Sequence, residues 1–167
     1  TGVQTCALPI YLLDAYVNFL VSLFDLSEVS RKLKVVIDAG NGMAGYTAPA
    51  VMAKLNVEVI PMYFELDGNF PNHEANPIEP DNLKDLQKKV KAVKADIGLA
   101  FDGDADRCFL IDEKGELVSP SALTALIAVR ELKRKPGSNI IYNLISSKVV
   151  PEVIKEHGGI QIGRAHV

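Results

Sequence analysis

Apolar residues recur along the chain in alternating helical and strand-like runs. In "YLLDAYVNFLVSLFDL" (11–26) they fall at helical spacing, with Tyr11, Leu12, Ala15, Phe19, Leu23 and Leu26 suited to one face. A polar link, "SEVSRK", leads into "LKVVIDAGNG", a short apolar strand ending in a glycine-rich turn. "MAGYTAPAVMAKL" predicts a helix with Pro49 in its first turn, where a missing N–H costs nothing. "VEVIPMYF" predicts a second strand, and its proline suits an edge. "ELDGNFPNHEANPIEP" (65–80), dense in Pro, Asn and Asp, predicts a loop. A helix follows over "DNLKDLQKKVKAVKA", with Asp81 as its N-cap. "DIGLAF" and "RCFLID" predict a third and a fourth strand, close enough to run antiparallel across a tight turn. Beyond the turn "EKGE", a helix capped by Ser119 and stopped by Pro136 and Gly137 precedes a strand, "NIIYNLI", and a helix, "SSKVVPEVIKEHGG".

Strands alternating with helices predict an α/β architecture with a mainly parallel sheet. Two units are expected, Lys32–Leu117 and Val118–Gln161. One helix, one strand and one further helix do not close a sheet, so the second unit reads as truncated.

Composition narrows the function classes without choosing among them. The chain has 167 residues, and its net charge of −3 supplies no basic field for nucleic acid. No apolar run approaches the roughly 20 residues that span a bilayer. Cys6 and Cys108 offer neither a disulfide framework nor a metal-ligand spacing, which makes a reducing cytoplasm the expected location. The ends read as foreign. "TGVQTCALPI" (1–10) and "IGRAHV" (162–167) resemble sequencing-adapter sequence translated in frame, and segments of that kind stand outside fold reasoning. The natural part is then expected to run from Tyr11 to Gln161, cut at both ends, with 11–31 a terminal helix and linker.

The chemistry concentrates in "GLAFDGDADRCFLID", where Asp102, Asp104, Asp106 and Arg107 crowd between two apolar runs. Alternate side chains at a strand end converge, and converging carboxylates repel unless a cation neutralises them or one takes up a proton. Oxygen ligands favour Mg²⁺ or Ca²⁺. A calcium EF-hand matches at Asp102, Asp104, Asp106 and Glu113, but Arg107 stands where its loop requires glycine, and the flanks are strands. Phosphoryl transfer gives every one of these residues something to do. A cation held by the carboxylates draws charge from a phosphate, and Arg107 grips phosphate oxygens. The bland reading of Arg107 is an ion pair with the neighbouring aspartates. A competing site is "GNGMAG" (Gly40–Gly45), a G-x-G-x-x-G between strand and helix with Glu65 near the ribose-binding position, which would make the chain a non-catalytic dinucleotide- or nucleotide-binding module. Asp38 opposes a pyrophosphate there, and the tight-turn reading of the glycines is preferred.

These segments resemble the α-D-phosphohexomutases, in particular the bacterial phosphomannomutase/phosphoglucomutase branch. "DGDADR" looks like the family's metal loop, "VVIDAGNGMAG" like the opening strand and turn of its second domain, and "GNFPNHEANPIEPDNL" like its Pro- and His-containing loop and the helix after it. The resemblance implies a three-layer α/β/α domain with a mixed, mainly parallel sheet over 32–117, preceded by the last helix of domain I over 11–31 and followed by an incomplete domain III over 118–161. It further implies a Mg²⁺-dependent isomerase that moves phosphate between the 1- and 6-positions of mannose or glucose phosphates, through a phosphoserine and a bisphosphorylated sugar, with hexose 1,6-bisphosphate as activator. Asp102, Asp104 and Asp106 take the metal role and Arg107 the phosphate role. The serine loop, the sugar-selecting loop and domain IV are expected to be missing, leaving this chain inactive by itself. Ile145 stands about where relatives carry a lysine; Lys148, near it, and His73, in the loop, are read as structural.

Overall fold

A computed structural model describes residues 11–23 and 30–163, which fall into two compact units divided between Glu116 and Leu117. Phe24, Asp25 and Leu26 of the first predicted helix, the adapter-like stretch 1–10 with Cys6, and residues 164–167 of the adapter-like stretch 162–167, His166 among them, lie outside the described residues.

The first unit is built on strands β1 (Leu33–Asp38), β2 (Val57–Met62), β3 (Ile97–Phe101) and β4 (Cys108–Ile111), in the spatial order β2-β1-β3-β4. β1 pairs parallel with both β2 and β3, and β4 returns antiparallel to β3 with Phe101 opposite Cys108. Pro61 sits on the edge strand, as its missing donor requires. The helices are α1 (Leu13–Ser22), α2 (Ala44–Met52) and α3 (Lys84–Val93). Alternation along β1 sends Val35 and Ile37 into one core with Ala48 of α2, and Val36 into another with Leu86 and Val90 of α3. Both faces of the sheet are thereby covered, which is the three-layer α/β/α arrangement expected of parallel strands.

Four local details differ from the sequence expectations. On α1 the buried residue is Val17, while Tyr11, Leu12, Phe19 and Leu23 are exposed; the segment is apolar on several faces, so periodicity alone does not select the one that packs. Pro49 lies in the second turn of α2, not the first. Asp81 does not cap α3: Glu79 and Pro80 start a single 3-10 turn, Pro80–Leu83, and α3 begins after it. Ser119 occupies an N-cap position, but its side chain makes no capping bond, and Pro120 sets the first turn.

The second unit contains α4 (Pro120–Arg134), β5 (Asn139–Tyr142), α5 (Val149–Glu156) and β6 (Ile160–Gly163). Ala128, Leu132, Val150 and Ile154 form its core. β6 is absent from the sequence expectation and crosses the expected boundary between 161 and 162: Ile162 and Gly163 pair in parallel register with Ile141 and Tyr142. Among the described residues no helix is long and apolar enough to cross a membrane.

What positions the site is a backbone-to-backbone contact at the carboxyl ends of β1 and β3. Gly42, in the turn after β1, abuts Gly103, in the turn after β3, and Met43 N donates to Gly103 O at 2.9 Å. A Cβ on Gly42 would lie 2.6 Å from Gly103 O and 2.9 Å from Gly103 Cα, closer than packing tolerates. Gly42→Ala is therefore expected to push the two turns apart, destabilising the fold by about 1–3 kcal/mol. Chemical denaturation measures the loss, and shifted amide resonances from Asp102 to Arg107 report the displaced turn. An alanine variant with unchanged stability and spectrum contradicts the contact.

Candidate metal and phosphate site

Three polar side chains are buried among the described residues, Asp38, Asn41 and Asp102, and all lie in or beside the turns at the carboxyl ends of β1 and β3. In open α/β sheets this is the end where ligands bind.

The turn between β3 and β4 gathers the acidic residues. One carboxylate oxygen from each of Asp102, Asp104 and Asp106 lies within 4.8 Å of the others. Asp102 is 1% exposed, whereas Asp104 and Asp106 face solvent. The turn closes through Ala105 N, which donates to Asp102 O at 3.1 Å, and Ala105 itself takes a left-handed φ of 63°. Small size at 103 and 105 thus serves two purposes. Ala105 bends the chain, while Gly103, with no positive φ, leaves room for neighbours.

Arg107 holds the buried carboxylate at both oxygens. Its backbone N–H donates to Asp102 Oδ1 at 3.0 Å and its Nε to Oδ2 at 2.5 Å, with Asp106 Oδ1 3.6 Å from the same nitrogen. Burial works to raise the Asp102 pKa, but the backbone and side-chain bonds from Arg107 outweigh it and hold the carboxyl below its usual range. Asp106 shifts upward, through its hydrogen bond with Asp102 first and the charge of Asp104 next. Opposite shifts in adjacent carboxyls are the signature of like charges crowded at one point. A hard divalent cation fits this donor set: three oxygens converge, their mutual repulsion is what a cation relieves, and two of the three carboxylates open to water. The ion-pair reading of Arg107 is observed, yet it engages only Nε and the backbone; the terminal nitrogens make no hydrogen bond among the described residues.

A second network backs the first. Asp38 Oδ1 accepts from Gly40 N at 2.9 Å, and Oδ2 lies 3.1 Å from Nε2 of His73 in the 65–80 loop. The imidazole is edge-on to Tyr63, with ring centroids 5.4 Å apart. Asn41, at φ 62°, donates from Nδ2 to Glu65 O and accepts from Asn72 Nδ2, tying the loop to the glycine turn. Sequence reasoning finds no partner for His73, and the structure supplies Asp38. The available signal is the charge of Asp38 at a strand end, which in the sequence stands out only as a misfit to pyrophosphate. The glycines of Gly40–Gly45 have a packing role that the tight-turn reading expects: a Cβ on Gly42 would meet Gly103, and one on Gly45 the backbone of Phe64. Lys148 lies in the second unit at the N-cap of α5, and Ile145 there is 88% exposed.

Comparison with known proteins assigns the family. The model for phosphoglucomutase/phosphomannomutase alpha/beta/alpha domain II matches residues 14–115. A phosphomannomutase/phosphoglucomutase of Pseudomonas putida is 48% identical over 132 residues, 79% of this chain and 28% of the relative. A phosphoglucomutase of Neisseria gonorrhoeae is 42% identical over 132 residues, 79% of this chain and 29% of the relative. The solved structure of a phosphoglucomutase/phosphomannomutase family protein from Burkholderia thailandensis superposes with a TM-score of 0.86 at 37% identity, covering 93% of this chain and 33% of that one. The chain therefore spans about a third or less of the length of these relatives. With the β2-β1-β3-β4 sheet covered on both faces and the acidic turn at its carboxyl end, the chain belongs to the phosphoglucomutase/phosphomannomutase family and carries its α/β/α domain II.

Proposed function

We propose that this chain supplies the metal- and phosphate-binding domain of a Mg²⁺-dependent hexose-phosphate mutase, an isomerase that interconverts the 6- and 1-phosphates of mannose or glucose through a phosphoserine and a bisphosphorylated sugar. The observation that carries the reading is the convergence of Asp102, Asp104 and Asp106 within 4.8 Å at one turn, with Arg107 beside them. Asp102, Asp104 and Asp106 are the residues that would hold the cation. When bound, Mg²⁺ withdraws charge from a phosphoryl oxygen, which favours a loose phosphoryl-transfer transition state. Arg107 orients Asp102 through Nε and offers its terminal nitrogens to a phosphate. The solvent-facing side of the turn is where a phosphate approaches, since Asp102 is buried behind it.

Domain II is assigned the span of the family match, 14–115, which takes in α1 although the sequence places 11–31 at the end of the preceding domain; 118–161 are assigned to part of domain III, and the phosphorylated serine and the sugar-selecting residues to further domains of a longer parent chain. Hexose 1,6-bisphosphate is the proposed activator of that parent, and the cytoplasm its proposed compartment. Neither nucleic acid nor membrane is proposed as a partner.

Mg²⁺ should raise the melting temperature, because binding to the folded state alone stabilises by RT ln(1 + [L]/Kd), about 1.4 kcal/mol at a tenfold excess over Kd. Asp104→Asn should reduce that gain; an equal shift in both proteins places the ion elsewhere. The purified 167-residue chain should convert no hexose phosphate, even with Mg²⁺ and a bisphosphate activator, while the same sequence joined to the serine-bearing and sugar-selecting domains of a relative should. Turnover by the chain alone contradicts the domain assignment.

A further inference from the structure

His73 has an acceptor at each ring nitrogen. Nε2 lies 3.1 Å from Asp38 Oδ2, and Nδ1 lies 2.8 Å from the carbonyl oxygen of Glu74. A backbone carbonyl cannot donate, and an ionised carboxylate cannot either, so a neutral imidazole satisfies only one of the two contacts. The groups that face the ring from packed elements are Asp38 from β1, Tyr63 from the turn after β2 and Asp85 from α3. Tyr63 is kept neutral, with burial raising its pKa first and Asp85 next. The surroundings of the ring therefore favour a positive charge.

The loop that carries His73 covers the metal turn. A Cβ on Gly103 would lie 3.4 Å from Phe70 Cζ and 3.9 Å from Ala75 Cβ, and one on Gly40 would lie 3.2 Å from Ala75 Cβ and 3.4 Å from His73 Cε1. Phe70 and Ala75 thus rest on the residue between Asp102 and Asp104. Asn41 ties the loop at Glu65, Asp67 and Asn72, and the next residue, His73, ties it to Asp38.

We propose that His73 is a positioning residue, held as a doubly protonated imidazolium between Asp38 and the Glu74 carbonyl, and that in this form it fastens the 65–80 loop over Gly103 and so keeps the metal turn in register. On losing one proton, a ring nitrogen presents a lone pair to an oxygen, one contact turns repulsive, and the loop loosens from His73 through Ala75 while Asn41 retains it up to Asn72. The Asp38 hydrogen bond raises the His73 pKa against the opposing effect of burial. A histidine raised on folding stabilises fully below its unfolded value and loses that contribution as pH rises through the folded value. The closed loop is therefore the low-pH form, opposite to what titration of the acidic turn alone produces. The bearing of this device on phosphoryl transfer rests on the metal-site reading, but the latch itself is measured without metal, so the two fail separately.

The test is an NMR titration of the metal-free full chain, with the His73 ring assigned by its absence in His73→Gln. Expected are a midpoint above the ordinary 6.5, protons on both ring nitrogens below that midpoint, and a lower midpoint in Asp38→Asn. Protection of the Met43 amide, which donates to Gly103 O, should fall at least about threefold across that midpoint after correction for intrinsic exchange, and should stay flat over the same range in His73→Gln. A midpoint at or below 6.5, or Met43 protection that is level across the wild-type midpoint, overturns the proposal. The wild-type titration decides the matter even where a variant does not fold.

Discussion

Asp102 is a carboxylate at 1% exposure that accepts from both the backbone and the guanidinium of Arg107. An unpaired charge in that position costs several kcal/mol, so the arginine is what allows the acid to remain ionised where β3 ends. With Asp102 fixed, Asp104 and Asp106 follow at alternate positions of a turn closed by the left-handed Ala105, and a carboxylate oxygen of each comes within 4.8 Å of the others. The upward shift at Asp106 and the downward shift at Asp102 express one fact, that three like charges share too small a space.

The rest of the first unit brings support to that turn from three directions. Parallel pairing of β1 and β3 puts Asp38 across from Ala100 and so aligns the two carboxyl ends. Gly42 and Gly103 then meet with no side chain between them, which lets Met43 N reach Gly103 O. The 65–80 loop closes from above through Phe70 and Ala75, anchored on buried Asp38 and Asn41. The glycines of a dinucleotide-like motif are here packing devices, with Gly42 against Gly103 and Gly45 against the Phe64 backbone.

Much of this is legible in the sequence because its causes are local. Apolar runs locate β1 to β5, Pro61 marks an edge, and the spacing of Asp102, Asp104 and Asp106 announces their convergence. What is not legible depends on partners distant in sequence. Val17 rather than Phe19 is buried on α1, a helix that packs against α2, and no period in 11–26 selects that face. The pairing of His73 with Asp38 spans 35 residues. Asp81 fails as a cap because Pro80 starts a 3-10 turn, and β6 escapes notice because Ile160–Gly163 is a strand only through its pairing with β5.

The central claim is that Asp102, Asp104 and Asp106 form one divalent-cation site. Its most direct test is a crystal of the chain soaked in Mn²⁺, a scattering substitute for Mg²⁺ that accepts the same oxygen ligands, with data collected for anomalous signal. The account predicts one strong peak at the turn after β3, about 2.0–2.3 Å from a carboxylate oxygen of each aspartate. A fully occupied peak elsewhere, with none at this turn, contradicts it.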